Sequence, residues 1–450
     1  MAFNRLIGRV SVSLLIGMIA VCGHAEDNAN PSGVEVRTPI FAYMDRVEPD
    51  FAWKLNSTLD LGANKVHLLE LTSQKWQNIV WKHSLIVYEP AEPVHKDHML
   101  LFVTGGGIDS VGKTPKIGDL AMGIALANFS GARIATLHQV PNQPLMDGKK
   151  EDDLITETWL KYLETGDPTW PLLFPMAKSA VKAMDALEQF SEQQFKQPIK
   201  GFVITGASKR GWTSWLTSVV DKRIIATAPI VIDTLNFPKQ MTHQKEVWGF
   251  YSEQIEDYTR KGLVHDDGIP RDGREAELWK MMDPFTYRSQ LTMPKLLVVG
   301  ANDRYWSVDA MSLYWDDLVG IKHIHRAPNG GHGLDAGKEN ALRTIAVFFR
   351  LAAAGKTFPE FSWKPEVTES EVGLTMTPSG SPQVVRLWVA QSDSNDFRES
   401  KWISQELPER NGSFSGHAEK TGEQRVAVFG EAEYEYEGVN YLLSTLVFWK

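Results

Sequence analysis

Residues 201–215 read GFVITGASKRGWTSW. The run Phe202-Val203-Ile204 is apolar enough for a buried strand, and it stops at Thr205-Gly206-Ala207-Ser208. Lys209, Arg210 and Gly211 follow, then Trp212 and Trp215 at helical spacing. The layout predicts a strand, a sharp turn and a helix, with one serine at the apex. In a Gly-x-Ser-x-Gly turn this geometry exposes Oγ above the sheet edge, beside the free N–H groups of a helix N-terminus. Here Arg210 holds the place of the second glycine, and a glycine stands one position on, at Gly211. The plainer reading of Ser208 is a helix cap.

Two companions favour the nucleophile. The apolar run 295–300 ends in Ala301-Asn302-Asp303, which puts a carboxylate just past a strand. After the last run comes Asn329-Gly330-Gly331-His332-Gly333, a histidine in a loop whose glycines permit close backbone approach. Ser208, Asp303 and His332 stand in the chain order of α/β-hydrolase triads. Asp233, after the run 226–232, is an alternative acid, and Asp309 reads as a helix start.

Thr104-Gly105-Gly106-Gly107 ends another strand-like run, where hydrolases take an oxyanion N–H. Lys209 and Arg210 either serve the oxyanion, hold an acidic substrate, or simply pair with a carboxylate. Tyr305 and Trp306 lie beside Asp303 and are placed to line a cleft, whereas Trp212 and Trp215 read as core. His323 and His325 would share a strand face, but no Cys or carboxylate cluster completes a metal site there. The residues call for no metal and no cofactor.

Working outward, strand-like runs fall at 66–71, 84–88, 99–104, 132–137, 201–205, 226–232, 295–300 and 323–327. Several are wholly apolar, as strands buried on both faces are. Helical patterns fall at 117–128, 176–190, 212–220, 309–318 and 340–353. Alternating strands and helices predict a mostly parallel eight-stranded sheet with helices on both faces. Residues 26–60 read as an irregular lead-in. The long connections 138–175 and 233–290 read as insertions over a site. Past Gly355-Lys356-Thr357 the pattern turns to short alternating segments, at 384–390, 425–429 and 441–449, which predicts a small all-β sandwich over 358–450. It would pack on the first domain, shape a cleft edge or bind a protein partner.

The N-terminus has its own logic. Arg5 and Arg9 precede an apolar stretch, 10–21, that ends near Gly23-His24-Ala25. This is the pattern of a secretory signal peptide over residues 1–25, cleaved after Ala25. The chain is 43% hydrophobic and 23% charged, with a net charge of −9. An acidic exported chain is poorly suited to nucleic acid or anionic membrane. Cys22, the single cysteine, lies within the leader, so no disulfide supports the mature fold. A lipid-anchored Cys22 is disfavoured by the bulky Val21 before it.

The chain resembles the PhoPQ-activated pathogenicity-related family, which takes in the autocrine proliferation repressor proteins. The residues that carry the resemblance are Val140-Pro141-Asn142-Gln143-Pro144, the turn Gly206-Ala207-Ser208-Lys209-Arg210-Gly211, Asp283-Pro284 and Gly331-His332-Gly333, within roughly 35–355. The resemblance implies an exported α/β-hydrolase-like protein linked to virulence, to resistance against membrane-active peptides, or to secreted growth control. The turn is also similar to that of glucuronoyl esterases, where an arginine directly after the serine helps hold the oxyanion; that role would fall on Lys209, which lacks the planar fork of arginine. The expectation is a serine esterase acting on a small molecule. A serine peptidase, or a binding module on a hydrolase fold without turnover, is the alternative.

Overall fold

A computed structural model describes residues 38–450, so the leader and Cys22 lie outside the described residues. The first half of the sheet comprises β1 (Ala52–Leu61), β2 (Asn64–Trp76), β3 (Ile79–Glu89), β4 (His95–Val103), β5 (Ala132–Leu137), β6 (Gly201–Ala207), β7 (Ile224–Ile230), β8 (Lys295–Gly300) and β9 (Lys322–Ala327). The helices are α1 (Pro39–Met44), α2 (Ile117–Ser130), α3 (Glu151–Thr165), α4 (Leu173–Phe195), α5 (Lys209–Val220), α6 (Phe237–Trp248), α7 (Glu256–Arg260), α8 (Gly273–Met282) and α9 (Lys338–Ala353).

The strands lie in the order β1-β2-β3-β5-β4-β6-β7-β8-β9. From β5 to β9 all neighbours are parallel, and β1, β2 and β3 are antiparallel. The central strands show why their sequences are continuously apolar. Met99, Leu101 and Val103 of β4 face a core shared with α4 and α5, while Leu100 and Phe102 face one shared with α2 and α9. Each strand buries both of its period-two faces.

Two readings need correction. Residues 26–60 are not all irregular, since α1 and all but the last residue of β1 lie within them. β1 is an edge strand whose side chains are mostly exposed, so it has pairing but little apolar signal. The helix expected at 309–318 is only a short 3₁₀ turn, Ala310–Leu313. Tertiary contacts claim its ends: Asp309 accepts from His243 Nε2 at 2.9 Å and from Trp449 Nε1 at 2.8 Å, and the Tyr314 hydroxyl donates to Asp233 at 2.6 Å.

The C-terminal region adds β10 (Phe361–Val367), β11 (Glu371–Pro378), β12 (Val384–Ser392), β13 (Ile403–Glu406), β14 (Glu409–Arg410), β15 (Ser413–Glu419), β16 (Arg425–Tyr436), β17 (Val439–Ser444) and β18 (Phe448–Trp449). The expected strand at 441–449 is thus divided between β17 and β18. The order β10-β11-β15-β14 forms one layer of a sandwich, and β17-β16-β12-β13 forms the other. The second layer continues the first sheet, because β17 pairs with β9 at Ser444 and Ile324. Inward residues Val372, Leu374 and Met376 share one apolar cluster with Ile345 and Phe349 of α9. Sheet and core therefore run through residue 355 without a break.

Candidate active site

Ser208 occupies the apex between β6 and α5 with φ 58° and ψ −127°. A side-chain-bearing residue at positive φ is strained by about 1–3 kcal/mol. The surrounding packing sustains it. A Cβ on Gly206 would lie 2.7 Å from the Arg210 carbonyl oxygen, and one on Gly211 would lie 2.9 Å from the Gly206 oxygen. These two glycines let α5 close onto the end of β6, which explains the glycine one place later than the familiar pattern. The Ser208 N–H is tied to Ile230 O at 2.8 Å. Lys209 begins α5, where first-turn N–H groups have no acceptor within the helix.

Asp303 and His332 meet from the ends of β8 and β9. His332 Nδ1 lies 2.8 Å from Asp303 Oδ2, and the Tyr305 N–H donates to Asp303 Oδ1 at 3.0 Å. Both carboxylate oxygens are thus engaged. The Tyr305 ring lies against the imidazole at 4.3 Å between centroids. The loops close on each other because position 300 has no side chain: a Cβ there would stand 2.3 Å from Gly330 O and 2.5 Å from Gly331 O. Asn302 N–H then donates to Gly330 O at 2.9 Å. Asp233 takes the Tyr314 hydroxyl, and Asp303 is the carboxylate on His332.

Lys209 and Arg210 are engaged by α3. Arg210 donates from Nη1 and Nη2 to the two Glu151 oxygens at 2.7 and 2.8 Å, and from Nε to Val140 O at 2.5 Å. This planar fork-on-fork pairing is specific to arginine. Lys209 Nζ lies 2.9 Å from Glu151 Oε2 and 3.5 Å from Asp152 Oδ2. Gln143 closes the network with both its amide atoms on Glu151. Burial pushes the Glu151 carboxyl up, but Arg210 and Lys209 outweigh it and hold that carboxyl well below the usual carboxylate range. Two carboxylates thus match two cations, leaving no net positive charge beside Ser208. The guanidinium also lies against Gly105, where a Cβ would stand 2.5 Å from Nη2. Arg210 therefore joins the serine turn, the 140–144 loop and the strand end at Gly105, Gly106 and Gly107. Gly107 bridges to Gln143 in the same network.

A cavity of about 40 Å³ opens at Ser208, Lys209 and His332. Its walls include Tyr305 and Trp306, and also Trp212, which has its Nε1 bonded to Met282 O at 2.7 Å. Trp215 is wholly buried in the core. The far walls come from the two insertions: Asp152 of α3, Phe237 and Met241 of α6, Tyr258 of α7 and Trp279 of α8. Sequence reasoning named none of these. The available signal was only the length of the two insertions and their aromatic content. Trp159 locks this wall, edge-on to Trp279 at 4.8 Å and to Trp212 at 5.9 Å. Each such pair contributes about 0.5–1.5 kcal/mol beyond its buried area. Asp283 of the Asp-Pro pair accepts the Phe237 N–H at 2.9 Å and so sets the start of α6.

Among the described residues no group of three or more His, Cys, Asp or Glu could hold a metal ion. On β9, His325 is buried and His323 half-buried, and desolvation pushes both down to about 4. Among the described residues, too, no helix is long and apolar enough to cross a membrane.

The strand order, the strained serine after β6, the acid after β8 and the histidine after β9 define an α/β-hydrolase fold followed by a β-rich sandwich region. Residues 40–398 match the family described as PhoPQ-activated pathogenicity-related protein. Autocrine proliferation repressor protein A of Dictyostelium discoideum is 34% identical over 387 residues, covering 82% of this chain and 76% of that one. The chain belongs to the PhoPQ-activated pathogenicity-related protein family. Among solved structures it is similar to an acetyl xylan esterase from Paenibacillus sp. R4, with 14% identity, 70% of this chain and 95% of that chain covered, and a TM-score of 0.46. It is also similar to a glucuronoyl esterase from Solibacter usitatus, with 13% identity, 71% and 92% covered, and a TM-score of 0.43.

Proposed function

We propose that this protein is an exported serine hydrolase that transfers a small apolar acyl group from an ester to water. The observation that carries the reading is the Asp303–His332 hydrogen bond of 2.8 Å at the mouth of a cavity that Ser208 also lines. Ser208 Oγ attacks the ester carbonyl carbon while the His332 imidazole takes its proton. Asp303 holds the ring tautomer and stabilises the imidazolium. The N–H of Lys209 and those of the Gly105-Gly106-Gly107 loop receive the oxyanion. Collapse expels the alcohol, which leaves with the proton from His332. Water then attacks the acyl-enzyme with His332 as base, releasing the acid and restoring Ser208.

The cavity supports the choice of acyl group. Its walls are aromatic and aliphatic, and its charges are already paired. A volume of about 40 Å³ is well under the roughly 150 Å³ that admits benzene. That suits an acyl chain of a few carbons. Neutralised Lys209 and Arg210 speak against selection of an acidic substrate. The test is a fluorophosphonate probe and short-chain esters against wild type and Ser208→Ala. Labelling and turnover in wild type alone are expected; an unlabelled wild type, or equal labelling of the variant, refutes the reading. Export is tested by sequencing the N-terminus of the mature protein, with Glu26 expected first.

A further inference from the structure

We propose that the segment 396–402 of the C-terminal region is a positioning element for the Asp303–His332 pair. The β-sandwich would then be part of the catalytic apparatus. The inference rests on the hydrolase reading above and adds a role for residues outside the triad.

Both loops that carry the pair are fastened to this segment by a side-chain amide. Asn302, the residue before Asp303, donates from Nδ2 to the carbonyl oxygens of Ser400 at 2.7 Å, Arg398 at 3.2 Å and Phe397 at 3.3 Å. Asn329, in the loop before His332, makes a reciprocal pair with the Trp402 backbone. Its Oδ1 accepts the Trp402 N–H at 2.8 Å and its Nδ2 donates to Trp402 O at 2.9 Å. Arg398 adds a third tie, from Nη1 to Arg304 O at 3.3 Å and to Glu253 Oε2 at 3.0 Å.

The segment is itself held firmly. Phe397 and Trp402 are buried in a cluster with Ala390, Ala427, Phe429 and Val447, and that cluster includes Ala301 from the acid loop. Trp402 lies 4.9 Å from Phe429 between ring centroids. Asp396 grips the Arg398 guanidinium from both oxygens. The acid and histidine loops therefore rest on one rigid support, and their mutual distance depends on it. The two loops also hold each other, through Asn302 N–H on Gly330 O and Ala301 N–H on Ala327 O, and the segment fixes that joined pair from outside. Misplacement of a reacting group by about 1 Å costs about a hundredfold in rate.

The experiment compares full-length mature wild type with Asn302→Ala, Asn329→Ala, the milder Asn329→Asp, and Arg386→Met. Arg386 pairs with Glu431 and Glu433 across β12 and β16, and neither pair involves 396–402, so its loss perturbs the same region while leaving the two asparagine ties in place. On a short-chain ester the two alanine variants should lose about tenfold to a hundredfold in kcat, with KM within about twofold. Asn329→Asp keeps the acceptor for Trp402 N–H and should fall between. Arg386→Met should lower the melting temperature and leave kcat in place. Unchanged kcat in the asparagine variants, or a kcat loss in Arg386→Met that tracks the same fall in melting temperature, overturns the proposal. A wild type that neither takes the fluorophosphonate nor turns over esters overturns the hydrolase reading first, and this inference with it.

Discussion

Glu151→Gln tests why two cations flank the nucleophile. The substitution keeps the side-chain shape and removes the charge that Arg210 and Lys209 share. Breaking a buried ion pair costs about 3–5 kcal/mol. The Glu151 side chain is 42% exposed, so solvent screening reduces this to about 1–2 kcal/mol. In a chain of this length that is a drop of about 1–2 °C in melting temperature. Since the carboxyl is held below its usual range, its contribution is full above that range and declines as the pH falls. The gap between wild type and variant should therefore narrow in acid. Catalysis should change in kind as well. With Arg210 loosened from Gly105, turnover of a neutral acetate ester should fall about tenfold, equal to 1.4 kcal/mol of lost positioning. With Lys209 freed from its partner, the preference for a succinate monoester over acetate should rise by a similar factor. Calorimetry against pH and paired kcat/KM values on the two esters provide the readout. Unchanged stability together with an unchanged substrate ratio would refute the view that Glu151 neutralises this turn.

Two further outcomes follow from the geometry. Among straight-chain p-nitrophenyl esters, kcat/KM should be highest for acyl chains of two to four carbons, and Met241→Ala should shift that optimum to longer chains; a flat profile in both proteins refutes the acyl assignment of the cavity. Burial pushes His83, His323 and His325 each down to about 4. Their contribution to stability is present above the usual histidine range near 6.5 and is lost as pH falls toward 4, because the unfolded chain binds those protons first. His323→Phe, packed on Phe358, should flatten that acid limb in melting curves; an unaltered slope counts against it.

Much of the sheet was legible because β4, β6, β7 and β8 are buried on both faces, which forces uninterrupted apolar runs. Ser208 and Asp303 stood out for a related reason, since each follows such a run, whereas His332 stood out by its flanking glycines, because β9 itself reads Lys-His-Ile-His-Arg-Ala. β1 was not, because an edge strand is held by backbone pairing and carries polar side chains. The fate of Arg210 was not legible either. Its position beside the serine is local, but Glu151 lies 59 residues away, and no periodicity links them. The reach of the sheet across residue 355 likewise depends on β9 meeting β17, a pairing between segments that look unrelated in sequence.

That last contact has a bearing on how the chain comes into being. Until residues 439–444 have been made, β9 offers an open edge with nothing to cover it. The histidine loop that follows β9 also waits for Trp402. The sheet is therefore completed only once residues 439–444 have joined it. A shortened chain ending at residue 355 would be an unfinished protein with an adhesive border, rather than a smaller working one.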